Sequence, residues 1–150
     1  MTIDRPFHIR PYAPEDHDAV VALWREVFAG DPPWNEPVDV IARKCAVQPE
    51  LFLVARMEAR LAGTVLGGFD GVRGWVHHLA VAPDLRRRGL AGELMDRIEA
   101  RLLDLGCPKL NLQVRRSNLG VVAFYESRGY AVDEVVSLGK PLGPWRRASR

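Results

Sequence analysis

Apolar and polar positions along the chain alternate with two different periods, and the changes of period mark out its elements. Phe7 to Arg10 reads as a short strand, broken by Pro11-Tyr12-Ala13-Pro14. From Glu15 to Phe28 the residues Val20, Leu23, Trp24 and Val27 recur at steps of three and four, behind acidic Glu15, Asp16 and Asp18. That spacing predicts a helix with one buried stripe, and its acidic start suits the positive end of the helix dipole. Between Gly30 and Pro37, Pro32, Pro33 and Pro37 forbid continuation, so a loop is expected with a second helix restarting near Val38.

Leu51 to Met57 and Leu61 to Phe69 are apolar runs rich in branched residues on either side of Glu58-Ala59-Arg60, the pattern of an antiparallel hairpin. Gly67-Gly68 is the expected place for a bulge. After Asp70 to Gly74, Trp75 to Ala82 predicts a third strand in succession, stopped by Pro83. Leu90, Leu94, Ile98, Leu102 and Leu105 then step by four, four, four and three, which predicts a long helix ended by Gly106 and Pro108. Lys109 to Val114 alternates strictly and reads as a strand. Leu119 to Arg128 reads as a short helix capped by Gly129, and Tyr130 to Leu138 as a last strand. The expected order is β-α-α-β-β-β-α-β-α-β, an α/β domain with a mixed, mostly antiparallel sheet.

Composition narrows this picture without redirecting it. The 150 residues, 47% hydrophobic and 27% charged, suffice for one core, so a single domain over residues 1–150 is expected. A net charge of +2 creates no global field calling for nucleic acid or a membrane. Arg86 to Arg88, Arg115-Arg116 and Arg146-Arg147 offer a nucleic-acid-binding alternative. No interleaved aromatics or known motif support it. Cys45 and Cys107 form neither a disulfide framework nor a metal-binding spacing, so no metal is expected and a reducing cytoplasm fits. The start MTIDRPFHIRP has no secretory pattern, and no run reaches the roughly 18 apolar residues of a membrane span.

Candidate chemistry gathers where the third strand gives way to the long helix. There Arg86, Arg87 and Arg88 precede Gly89, Leu90, Ala91 and Gly92. A helix start collects amides without acceptors, glycine admits a ligand close to the backbone, and arginine adds forked hydrogen bonds, so a phosphate-bearing ligand is expected. The spacing matches neither GxGxxG nor GxxxxGK[ST].

The run HHLAVAPDLRRRGLAGELM resembles the central motif of the GNAT acetyltransferases, a strand followed by [QR]-x-x-G-x-[GA] opening a helix. Arg86, Gly89 and Ala91 occupy its defining positions. LNLQVRRSNLGVVAFYESRGY is similar to the family's second half, and Pro33-Trp34 adds a likeness to its ribosomal-protein-alanine branch. The resemblance implies a fold with splayed central strands and an N-acetyltransferase that uses acetyl-CoA to acetylate a small-molecule or peptide amine. Leu79, Ala80 and Val81 would hold the pantetheine arm, the Arg86 to Gly92 turn the pyrophosphate, and Asn118 a further part of the cofactor.

Among the reacting groups, Tyr125 matches the family's general acid at the leaving sulfur, with a reference pKa of about 10. His77 fits a base facing the acceptor, with His78 expected on the opposite face. Glu36 is a second way to attract or relay a proton, while Trp34 and Trp75 are candidate walls of the acceptor site. Gln113 stands where the closest substrate analogy has glutamate, and an amide accepts no proton. A catalytically silent acyl-CoA sensor is therefore an alternative function. Homodimerisation through Tyr130 to Leu138 is implied by analogy alone.

Overall fold

The computed structural model describes residues 6–147. Contacts group the chain into two compact units, Met1–Asn111 and Leu112–Arg150. The first unit holds a five-stranded sheet made of β1 (His8–Pro11), β2 (Phe52–Met57), β3 (Arg60–Phe69), β4 (Gly74–Val81) and β5 (Leu110–Asn111). Spatial order follows chain order. β1 to β4 pair antiparallel, whereas β5 joins β4 in parallel. A parallel partner needs a crossover, which α3 (Leu90–Asp104) supplies. The two helices α1 (His17–Val27) and α2 (Pro37–Cys45) lie between β1 and β2 in sequence.

Alternation along β3 decides which helices cover which face. A Cβ on Gly63 would meet Leu90 and Leu94, and one on Gly67 would meet Ile98, so this set of positions faces α3. Thr64 instead reaches Trp24 of α1, 2.9 Å away. Helices therefore cover both faces of the sheet. The predicted α3 stripe is buried at Leu90, Leu94, Ile98 and Leu102, joined by Met95, while Leu105 caps the helix and is exposed. At the sheet's far edge, Asp16 is wholly buried. Its carboxylate takes Arg10 through bonds of 2.7 and 2.9 Å and the amide of Ala13 at 2.9 Å, with Arg56 at 3.5 Å. Desolvation raises its pKa, but these partners more than offset it and hold the carboxyl below its ordinary value.

Four expectations need correction. The register of β3 is regular through Gly67-Gly68 against β4, and the irregularity falls between Thr64 and Leu66. Glycine at 67 serves packing instead, since a Cβ there would lie 2.6 Å from Ile98 Cγ1. The strand expected over Lys109 to Val114 is only Leu110–Asn111, because β4 pairs with β5 at Gly74 and Trp75 alone. Tyr130 to Leu138 forms no strand, and Val132, Val135, Val136 and Leu138 are each at least 75% exposed. A segment without a ladder partner gains nothing from β geometry, whatever its composition. The fourth correction, to the faces of His77 and His78, arises at the site.

In the second unit, a 3-10 turn over Arg116–Val121, kinked at Asn118, leads into α4 (Val122–Glu126). Gly129, at a φ of +94°, ends that segment. Among the described residues no helix is long and apolar enough to cross a membrane.

Candidate active site

β4 carries the bulge. Leu66 pairs with His77 and Thr64 with Ala80, so His78 and Leu79 together face the single residue Val65 of β3. His78 takes up the extra length at a φ of +51°, a left-handed conformation uncommon for a residue with a side chain. Thr64 holds it there. The buried Thr64 hydroxyl donates to the His78 carbonyl at 2.9 Å and accepts the Trp24 indole N–H at 2.9 Å. The His78 ring packs against Trp24, with centroids 4.5 Å apart, and edge-on against Phe28 at 5.0 Å.

The bulge breaks the period of two, so His77 and His78 do not point to opposite faces. Both line one cavity of about 400 Å³, with Asn35, Arg43, Lys44 and Leu66 among its walls. His78 and Asn35 also border a second cavity of about 300 Å³, lined by Trp24, Phe28, Asp31 and Glu36. The two cavities thus share two wall residues on the α1–α2 side of β4. Burial, opposed by the Asp31 charge, pushes the His78 pKa down to about 4. The His77 ring is exposed, yet crowding by its neighbours and the charge of Lys44 lower its pKa too. His77 stacks on Trp75 with centroids 6.4 Å apart.

Beyond β4, Pro83–Leu85 forms a 3-10 turn pinned by buried Leu85 and by a two-pronged contact between Arg60 and Asp84. Arg87 and Gly89 follow in left-handed conformations, at φ of +66° and +81°. Gly89 caps α3 without a side-chain hydrogen bond, and a Cβ there would meet nothing within 4 Å. The amides of Leu90 and Ala91 begin the helix, where no preceding turn offers an acceptor. Arg86, Arg87 and Arg88 are exposed and form no ion pair among the described residues. Three exposed guanidinium groups at a helix start make a donor set that fits a pyrophosphate. Upstream, β4 continues past Trp75 without β5, so its edge at Leu79, Ala80 and Val81 lies outside their ladder.

In the second unit Tyr125 is buried between edge-on contacts with Phe124 and Tyr130, at 5.1 and 5.6 Å, and burial raises its pKa. Asn118 is exposed, at the kink. Gln113 donates to Ser137 at 2.7 Å. Of the expected acceptor-site residues, Glu36 lines the smaller cavity and is held by Arg25 at 2.5 Å. Trp34 borders neither cavity, and its carbonyl accepts from Arg43 at 2.8 Å. The residues that sequence reasoning missed are Thr64, Trp24 and Lys44. The one available signal was a hydroxyl residue placed amid the apolar run of β3.

Residues 18–130 match the acetyltransferase (GNAT) family. An acetyltransferase of Yersinia enterocolitica is 42% identical over 134 residues, covering 89% of this chain and 94% of its own. Among solved structures, Ard1 of Thermoplasma volcanium has a TM-score of 0.76 at 20% identity, over 86% of this chain and 85% of that one. The ribosomal-protein alanine N-acetyltransferase of Escherichia coli has a TM-score of 0.68 at 26% identity, over 82% and 76% respectively. With a family match over most of its length and so similar a relative, the chain belongs to the GNAT family and is an acyl-CoA-dependent N-acetyltransferase.

Proposed function

We propose that the whole chain works as one catalytic domain that acetylates a primary amine by direct attack. The family match supports this by running across the division between the two units. Acetyl-CoA supplies the activated thioester. Arg86, Arg87 and Arg88, with the amides from Gly89 to Gly92, bind its pyrophosphate, and Asn118 adds a polar contact. Leu79, Ala80 and Val81 take the amides of the pantetheine arm as an added strand would be taken. The amide near Val81 stabilises charge developing on the acyl oxygen, since a donor held in a strand needs no reorganisation.

The observation that carries this reading is the continuity between the edge of β4 beyond Trp75 and the arginine turn at its end. One extended arm ending in phosphate matches such a track. Tyr125 keeps its proton throughout the physiological range, because burial raises the phenol's pKa, and delivers it to the departing sulfur. His77, neutral at physiological pH, receives the amine proton directly or through water. Of the residues assigned to the acceptor, Glu36 lines the smaller cavity, and Trp34, Trp75 and Gln113 complete the set.

Amine-dependent release of the CoA thiol tests the scheme. Tyr125→Phe should lower kcat by about 10²-fold or more while leaving KM for acetyl-CoA nearly unchanged. An unaltered kcat removes Tyr125 as the acid. Absence of thiol release with every amine overturns the acyl-transfer scheme.

A further inference from the structure

The two cavities beside β4 differ in charge. Asp31 and Glu36 line the smaller, where the one cation, Arg25, is bonded to Glu36 at 2.5 Å. Arg43 and Lys44 line the larger, and neither forms an ion pair among the described residues. Lys44 is half-buried. Its ammonium donates to the Val47 carbonyl at 2.8 Å and the Gly67 carbonyl at 2.6 Å, which leaves one of three donors. Val40, Val47 and Leu66 provide apolar walls around it.

A cation partly withdrawn from water without a contact ion pair is costly, and here burial lowers the ammonium's pKa against the opposing charge of Glu50. Cations in the last turn of a helix complement its dipole, and the last turn of α2 holds both of these residues. That accounts for their sign. The Val47 and Gly67 carbonyls hold the Lys44 ammonium inward, which makes it a lining residue of the cavity that also holds His77 with one donor still uncommitted.

We propose that the acceptor is a small amine that also carries an anionic oxyacid group, a carboxylate or a phosphate, which Lys44 and Arg43 bind. This rests on the reading above that the acceptor enters beside β4. The anion occupies the cavity of about 400 Å³, and the amine lies toward the shared wall at His78 and Asn35. Arg43 keeps guanidinium donors beyond the one given to the Trp34 carbonyl, so a bidentate contact to the anion is available.

The experiment compares an ω-amino carboxylate, the alkylamine of equal length without the carboxylate, and the matching aminoalkyl phosphate. Thiol release by the full chain should favour one or both anionic amines by about tenfold or more in kcat/KM, as expected for a charge-assisted hydrogen bond. The better of the two identifies the oxyacid. Lys44→Met and Arg43→Gln should each shrink that ratio, and Lys44→Arg should restore most of it. Exposed Arg43 gives a variant with little risk to folding.

Calorimetric titration of the same amines reads the preference without turnover. Anion-selective binding that depends on Lys44, without turnover of any of these amines, would uphold the anion subsite at Lys44 and Arg43 while overturning the acyl-transfer scheme and, with it, the amine's role as acceptor. Equal treatment of charged and uncharged amines, or a preference surviving both Lys44→Met and Arg43→Gln, would overturn the inference. A peptide amine with neutral neighbours outcompeting all three would do the same.

Discussion

Replacing Thr64 with valine keeps the shape of the side chain and removes only the hydroxyl that holds the β4 bulge. Two buried partners then lose their bonds, the Trp24 indole N–H and the His78 carbonyl, each at 2.9 Å in the native fold. Trp24 is 1% exposed and Thr64 fully buried, so water offers the indole little compensation. Each group left unsatisfied costs about 1–3 kcal/mol, and the valine methyl returns part of this through apolar burial, leaving a net loss of roughly 2–4 kcal/mol. Thr64→Ser keeps both bonds and forfeits one methyl, for about 1 kcal/mol. Urea midpoints at constant m-value separate the two variants, and the valine form should melt some 5–10 °C lower, on the order expected for a chain of this size. A valine variant as stable as the serine variant would show that the hydroxyl does not secure the left-handed turn at His78.

Two further outcomes follow from the same unit. The His78 pKa, about 4 in the fold, lies below the ordinary 6.5, so between those values the unfolded chain binds more protons. Stability from this residue is fully present above the unfolded value and declines as pH falls toward 4, by at most about 3 kcal/mol. His78→Asn, which tolerates the backbone conformation, should flatten that slope in urea midpoints taken from about pH 8 to about pH 5; parallel curves would exclude His78 as its source. Gly67→Ala would place a Cβ 2.6 and 2.7 Å from Ile98 Cγ1 and Cδ1, costing about 1–3 kcal/mol by overpacking. Combined with Ile98→Ala it should cost less than the two separate losses added together, and strict additivity in a double-mutant cycle would place the strain elsewhere.

The long helix and the hairpin were legible because their signals are periodic and local. Leu90, Leu94, Ile98 and Leu102 repeat over more than three turns, and all four are buried. The arginine turn was legible for a related reason, since its order between a strand end and a helix start is written in consecutive residues. The orientation of the two histidines was not. Period-two reasoning assumes an unbroken pleat, and the break is enforced by Thr64, which lies 14 residues away in sequence from His78. Glycine at Gly67-Gly68 suggested a bulge, although Gly67 answers to α3 and Gly68 lies beside Gln48. For Tyr130 to Leu138, composition spoke for a strand, but strand formation needs a partner that composition does not specify. Nothing in the sequence sets Lys44 apart from an ordinary helix-end cation, because the cavity it lines is closed by Leu66, His77 and His78 from later strands.

Gly63 has a reach beyond packing. A Cβ there would sit 2.7 Å from the Ala80 carbonyl and 3.2 Å from both Leu90 and Leu94, so a single hydrogen atom sets how closely the end of β4 and the first turn of α3 approach β3. Those two elements bound the track from the Leu79 edge to the arginine turn. Gly63 therefore works as a gauge: any side chain there would wedge strand from helix and change the length of arm needed to span them in the binding mode proposed above. In that mode the thiol end of the donor would be presented at a different depth while every residue proposed to touch it stayed the same.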